Sequence, residues 1–522
     1  MTSGFSRRTL LGAIGAGGLV AGTGLTELSQ RAAGAPRWSR GGRPLLTHGV
    51  QSGDVTTQSA TIWTRADREA RMMIEVSLDP EFRRSHRIPG ALLRSSADFT
   101  GKTVVHGLPA GSDVYYRVTP YGRGDRDLAG QQVTGRLRTV SRGRRDVSFV
   151  WSGDLGGQGW GIDVDRGGYR IFEAMRQLDP DFYLCNGDNI YADDPIPATQ
   201  QMPDGQIWHN LVTEEKSKVA ETLDEYRGNY KYNLADENLR RFYADVTQVQ
   251  QWDDHETHNN WYPGEILDDD DYTEKRVDVL KYRARRAYHE YVPINPRYDR
   301  DGRVYRVLHQ GPLLDVFVLD MRWFRDANSP NKQTYNNGGI LGHSQQRWLE
   351  RELLRSTATW KVISNDMPLG EIVADGDTDY EAVSNGDNGQ PMGRELQIAE
   401  ILRFIKRHKI KNVVWVTTDV HYTAAHYFDP DKAAFSDFEP FWQFTSGPLN
   451  AGAFPPDAVD RTFGAQQVFV KAPDYANASP ATEFQFFGQM IIDGDTEVLT
   501  TKLRDNSGAV LWSKELEPER RR

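Results

Sequence analysis

The 522-residue sequence predicts an α/β (α+β) layered sandwich, sheets inside and helices outside, preceded by an immunoglobulin- or fibronectin-like β-sandwich. Two observations predict this. Between about residues 45 and 140, short strands with alternating polarity recur roughly every 8–12 residues, with turn residues between them and no helical stretch. From residue 146 the pattern changes to strand, helix, strand with continuous apolar runs of the buried-sheet type, and it ends in a series of late strands.

Taken in order, residues 1–35 read as a twin-arginine signal peptide. Ser6-Arg7-Arg8-Thr9-Leu10-Leu11 precedes a Gly/Ala-rich run to about Leu25, and Ala33-Gly34-Ala35 offers a small-residue cleavage site. The run is too glycine-rich and too short to span a bilayer stably. It implies a partner, the twin-arginine translocation machinery, and a secreted or cell-wall-associated product that folds before export. Since no other stretch approaches membrane-spanning length, stable membrane insertion is not expected.

The β-sandwich at 45–140 carries strands at 59–64, 72–77, 102–106, 114–118 and 134–139. It holds no cluster of catalytic residue types, so a structural role is expected. Ser141-Arg142-Gly143-Arg144-Arg145 is the linker, and a second domain at 146–515 follows. Its expected elements are a strand at 146–152, a helix at 169–178 and the strand that begins at Phe182. A polar insertion at 195–218 and helical segments within 219–243 and 272–291 come next. Strands at 304–309, 314–319, 360–364 and 412–417 alternate with helices at 344–354 and 395–406. Strands near 443–445, 486–492, 498–503 and 510–512 close the chain. Loops 371–392 and 454–475 are candidate lids.

Composition narrows the chemistry. With 63 Lys+Arg against 73 Asp+Glu, the net charge of −10 argues against nucleic-acid or anionic-membrane binding. Cys185 is the single cysteine, which excludes an internal disulfide and a thiolate zinc cluster.

Four motifs at strand ends or in adjoining loops supply oxygen and imidazole ligands: Gly153-Asp154-Leu155-Gly156, Gly187-Asp188-Asn189-Ile190-Tyr191, Asp253-Asp254-His255-Glu256 with Asn259-Asn260, and Asp419-Val420-His421. Asn365-Asp366 is a weaker fifth. Each alone is more often a solvated turn; together, after buried strands, they suit a two-metal centre.

This series resembles the calcineurin-like metallophosphoesterases, and its particular forms resemble the PhoD family of alkaline phosphatases and phospholipases D. Leu319-Asp320-Met321-Arg322, Leu341-Gly342-His343-Ser344-Gln345 and Thr445-Ser446-Gly447-Pro448-Leu449 agree, as do the leader and the preceding sandwich. The resemblance implies a four-layer sandwich and hydrolysis of phosphate mono- and diesters, with water activated on a binuclear centre of iron (ferric) plus a second divalent metal: calcium, manganese or zinc. The Ser-Cys pair of the best-known PhoD enzymes is replaced by Ser152-Gly153-Asp154, a form similar to purple acid phosphatases. Asp154 is therefore the expected iron ligand, and Cys185 a packed strand residue. Asp188 is expected to bridge, Tyr191 and His421 to complete the iron side, and Asp254 and Asp419, with Asn365, to hold the second ion. His255 is the expected proton donor to substrate, oriented by Glu256, while Asn189 and Arg322 are expected to contact phosphate. Two alternatives stand beside this reading: a phospholipase D acting on phosphatidylcholine-type lipids, and a non-catalytic extracellular binding protein with structural metals.

Overall fold

The computed structural model describes residues 42–122, 128–299 and 301–520. The expected leader at 1–35 lies outside them. Two mixed sheets form the centre of the molecule. In the larger, nine-stranded sheet, strands Val147–Ser152, Phe182–Cys185 and Thr247–Gln250 run parallel side by side. In the seven-stranded sheet, Leu314–Val318, Trp360–Ser364, Val413–Thr417 and Phe441–Ser446 form a second parallel set.

Side-chain alternation along these strands makes the layers. Phe149, Trp151, Phe182 and Leu184 meet Val316, Val362, Val414 and Val416 in the core between the sheets. On the opposite face of the first sheet, Val150, Tyr183 and Cys185 pack against helices Ile171–Gln177, Leu223–Asn233, Glu237–Asp245 and Val277–Tyr291. Phe317, Ile363 and Trp415 likewise pack against helices Gly342–Arg355 and Glu395–Arg407. Each fully buried large apolar side chain contributes about 1.5–3 kcal/mol, so strands apolar on both faces require both a sheet and a helix layer. Four layers result: helices, sheet, sheet, helices.

The region before residue 140, expected as an immunoglobulin- or fibronectin-like sandwich, consists of two facing sheets, one of which runs on into the centre of the molecule. One of its sheets is separate, in the order His86–Leu93, Ala70–Ser77, Asp113–Gly122, Val133–Arg138. The facing strands Leu46–Gly53, Ser59–Ala66 and Thr100–His106 continue the nine-stranded sheet, joined to it where Gly53 pairs parallel with Gln248. Glycine is needed there because a Cβ would lie 2.6 Å from the Pro293 carbonyl oxygen and 3.0 Å from that of Gln248. Ile62, Met72, Ile74, Tyr116 and Val118 form the core between the two sheets of this region. Strands Thr247–Gln250, Thr423–Phe428 and Ala465–Lys471 were not expected from the sequence. The last lies within the candidate lid 454–475 and pairs with Thr423–Phe428. The polar insertion forms a ribbon of Thr199–Gln201 with Ile207–His209.

A buried ion pair fastens the front region to the centre. Arg306 donates through Nε to Asp54 Oδ1 (3.0 Å) and through Nη1 to the Gln250 and Val304 carbonyls. The other oxygen of Asp54 accepts from Asn295 N. Arg306→Ala leaves the Asp54 carboxylate buried without its partner, an expected loss of about 3–5 kcal/mol. Arg136→Ala, at a solvent-exposed pair with Asp179, is expected to lose under about 1 kcal/mol. Denaturant unfolding midpoints of the two variants measure the difference.

Candidate metal centre

The candidate ligands follow the carboxyl ends of strands from both sheets. Asp154 follows Val147–Ser152, Asp188 follows Phe182–Cys185, and Asp253 to His255 follow Thr247–Gln250. Asn365 follows Trp360–Ser364, and Asp419 and His421 follow Val413–Thr417. Asp154, Asp188, Asp419 and His421 leave their strands in the left-handed region, with φ of 62°, 50°, 72° and 59°. Non-glycine residues held there store strain, and here four of them carry the ligands. Gly187, at φ 130°, has no side chain because a Cβ would collide with that of Asp253. That close approach brings the second and third motifs together.

Three groups of ligand atoms result, each within 4.8 Å: Asp154, Asp188 and His421; Asp188, Asp254 and His255; and Asp253, Asp254 and Asp419. Asp188 belongs to the first two. Tyr191 joins the first group through its hydroxyl, 2.9 Å from His421 Nε2. His421 Nδ1 lies 2.6 Å from the Gly452 carbonyl oxygen, so that nitrogen carries the proton and Nε2 keeps its lone pair for a cation. Thr418 donates to Asp154 Oδ2 at 2.5 Å and fixes its orientation.

The electrostatics suit cations. Burial, reinforced by the charges of Asp254, Asp253, Glu256 and Asp154, pushes the Asp188 carboxyl well above its usual range. Burial likewise lifts Asp154 to about 7. Against its own burial, Asp254 is held low by Arg322 and His255. Asp253 Oδ2, Asp254 Oδ1 and Asn365 Oδ1 are buried with no hydrogen-bond partner. Crowded buried carboxylates with unused lone pairs, beside an imidazole nitrogen and a phenol, make a donor set that fits two hard or borderline metal ions.

Several expected roles change. Arg322 is completely buried behind the carboxylates, with Nε 2.5 Å from Asp253 Oδ1 and Nη2 paired with Glu381. It neutralises Asp253 and braces the ligands. Asn189 also turns away: its amide donates to the Gln251 carbonyl and to Glu256 Oε1, both at 2.8 Å, leaving no amide hydrogen for a phosphoryl oxygen. Glu256 does not orient His255, because its two oxygens accept from Asn189 and from Asp253 N. Asp193 is the partner instead, with its oxygens 2.8 and 3.0 Å from His255 Nδ1. Burial lowers the His255 pKa, but Asp193 and Asp254 outweigh it and lift the pKa to about 10. The ring is stacked on Tyr191 at 4.1 Å. Asp253 sits inside a motif visible in the sequence and Asp193 just beyond one, yet their spacing does not say which carboxylate meets which partner. Cys185 faces the helix layer, its thiol pushed up to about 12 by burial.

A four-layer sandwich with acidic and imidazole ligands gathered where its two parallel strand sets end has the architecture of a metallophosphoesterase. The chain belongs to the PhoD-like phosphatase family: residues 149–503 match that family, and residues 31–141 match its N-terminal domain. It is 26% identical over 400 residues to alkaline phosphatase D of Bacillus subtilis (strain 168), covering 72% of this chain and 64% of that protein. The chain thus spans somewhat less than two thirds of that relative's length. The solved structure of PhoD matches 92% of this chain and 90% of its own, with a TM-score of 0.67 and 21% identity. Purple acid phosphatase PPD1 from yellow lupin (Lupinus luteus) seeds matches 91% of this chain and 74% of its own, with a TM-score of 0.54 and 12% identity. At these identities the structural likeness is one of fold.

Since Asp188 is common to two ligand groups, Asp188→Asn is expected to remove more than half of the metal that the purified protein carries. Cys185→Ala, on the helix-facing side, is expected to leave metal content unchanged. Elemental analysis of both variants checks the assignment.

Proposed function

We propose that the chain is an exported alkaline phosphatase that hydrolyses phosphate monoesters and diesters at a binuclear, iron-containing centre. The observation that carries this reading is Asp188, whose carboxylate joins Asp154 and His421 in one ligand group and Asp254 in another, beside a third group of Asp253, Asp254 and Asp419. In this reading Asp154, Asp188, Tyr191 and His421 hold iron. Asp188, Asp254 and Asp419, with Asn365, hold a second divalent ion: calcium, manganese or zinc. Asp253 sits against this second group, kept in place by Arg322. Bound cations would supply Lewis acidity to the phosphoryl oxygens and to the attacking water.

The chain's own residues do the rest. With Nδ1 engaged by Asp193, His255 is left with Nε2 to donate to a phosphoryl oxygen or to the leaving group. Asp193 also accepts from Asn259 N (2.7 Å), so the histidine's partner is itself anchored. Stacking on Tyr191 fixes the plane of the imidazole. Glu256 ties the backbones of Asn189 and Asp253 together and keeps two motifs in register. The twin-arginine pattern at Ser6–Leu11 supports export, and no helix among the described residues is long and apolar enough to cross a membrane.

Assays on p-nitrophenyl phosphate, its bis ester and phosphatidylcholine test the reading. Turnover of the first two, lost to a chelator and restored by metal, is the expected result. Preferential release of phosphatidic acid would favour the phospholipase D alternative, and no turnover of any substrate would leave a binding protein. His255→Ala is expected to keep its metal and lose about 10²–10⁴-fold in kcat. Asp193→Asn, which removes the orienting charge, is expected to lose about 10–100-fold. Equal loss of metal in His255→Ala and Asp188→Asn would make His255 a ligand instead of a proton donor.

A further inference from the structure

Asp154 has two carboxylate oxygens, and the fold engages them differently. Oδ1 lies among the other ligands, 4.0 Å from His421 Nε2, and accepts from Asp419 N at 3.3 Å. Two donors on one cation, each about 2.0–2.2 Å from it, stand at most about 4.3 Å apart, so Oδ1 and Nε2 are close enough to share an ion. Oδ2 is already taken. It accepts from Thr418 Oγ1 at 2.5 Å. That oxygen is also walled in, because a Cβ on Gly447 would collide with both Asp154 Oδ2 and Thr418 Oγ1. Thr418 is fully buried, and a Cβ on Gly153 would lie 2.7 Å from its Cγ2, so two glycines make room for this one side chain. The main chain of Asp154 is fastened as well: its carbonyl accepts from Asn450 N and Ala451 N.

The number of oxygens a carboxylate gives to an ion has a chemical consequence. Chelation through both oxygens fills two coordination positions, and binding through one oxygen fills one. A catalytic ion needs a position left over for water or substrate. We propose that Thr418 is a positioning residue that makes Asp154 a one-oxygen ligand. Its hydroxyl holds Oδ2, Oδ1 alone reaches the cation, and the position that Oδ2 would fill stays open for a phosphoryl oxygen or for water. Thr418 itself touches neither ion nor substrate. The inference rests on the binuclear reading above and deepens it, since a residue outside the ligand set then decides how much of the first ion is offered to substrate.

Crystal structures of the metal-loaded full-length protein, wild type and Thr418→Val, test the proposal. Valine keeps the shape of threonine and removes the donor. Its methyl carbon also cannot stay 2.5 Å from an oxygen, because even close C···O contacts run at about 3.3–3.6 Å, so Oδ2 is pushed off. Wild type is expected to show one Asp154 oxygen on the ion and the other on Thr418; Thr418→Val is expected to show both on the ion. With metal content unchanged, Thr418→Val is expected to lose about 10–100-fold in kcat on p-nitrophenyl phosphate. Thr418→Ser, which keeps the hydroxyl, is expected to match wild type in ligation and in kcat. Two Asp154 oxygens on the ion in wild type would overturn the proposal, even if Thr418→Val failed to fold. One-oxygen ligation retained in Thr418→Val would overturn the role of the hydroxyl, and chelation with wild-type kcat would overturn the open position. An ion held by Oδ1 alone in a protein that hydrolyses no ester would uphold the ligation and remove only the phosphatase reading.

Discussion

Much of this molecule depends on crowding carboxylates into a buried space and keeping them there. Asp154, Asp188, Asp253, Asp254 and Asp419 are all buried within the three overlapping ligand groups. Mutual repulsion in a medium of low polarity would drive them apart or into their neutral forms. Arg322 counters this, with a completely buried guanidinium within ion-pair distance of Asp253, Asp254, Glu381 and Asp419. It acts as a fixed positive charge on the side away from solvent. Cations on the other side of the carboxylates would complete the balance.

Holding the ligands also requires stiff supports. Each of the four principal motifs leaves a parallel strand whose two faces are covered, one by the other sheet and one by helices. Strand ends held so firmly can sustain left-handed turns at Asp154, Asp188, Asp419 and His421. The strand Thr247–Gln250 serves two purposes. It delivers Asp253, Asp254 and His255 to the centre, and it joins the sheet to the front region through Gln248 and Gly53. With Arg306 bonded both to Asp54 and to the Gln250 carbonyl, the front region buttresses the strand that carries the third motif.

Loops add a further layer of support. Buried Lys216, in the insertion after residue 195, donates to the carbonyls of Tyr191 and Asp194. The Ala192 amide bonds to the His255 carbonyl, and Ala220 N bonds to the Ala192 carbonyl. The segment carrying Tyr191 and Asp193 is thereby held from both sides. Loop 371–392 is secured by Asp375, which accepts from Asn260 and Asn328. It is tethered to the residues just behind the third motif, a poor arrangement for a freely swinging lid.

The amino-acid sequence by itself determined the layered α/β class, the strands at Val147–Ser152, Phe182–Cys185, Trp360–Ser364 and Phe486–Ile492, and the motifs that converge on the centre. Those features are local: apolar runs, Gly-Asp turns and short-range spacing are properties of contiguous residues. The tertiary structure decided the pairings. Whether Glu256 or Asp193 meets His255 depends on how two loops from different strands are set against each other, with the partners 62 residues apart for Asp193. Arg322 had the composition of a phosphate contact, but its depth behind Asp253 placed it among the carboxylates. The shared sheet of the front region rests on a glycine facing a distant backbone, and the neighbouring Ser52–Thr247 contact joins residues 195 positions apart. Steric fit and charge balance between distant segments are summed over the folded chain, and no local pattern encodes them.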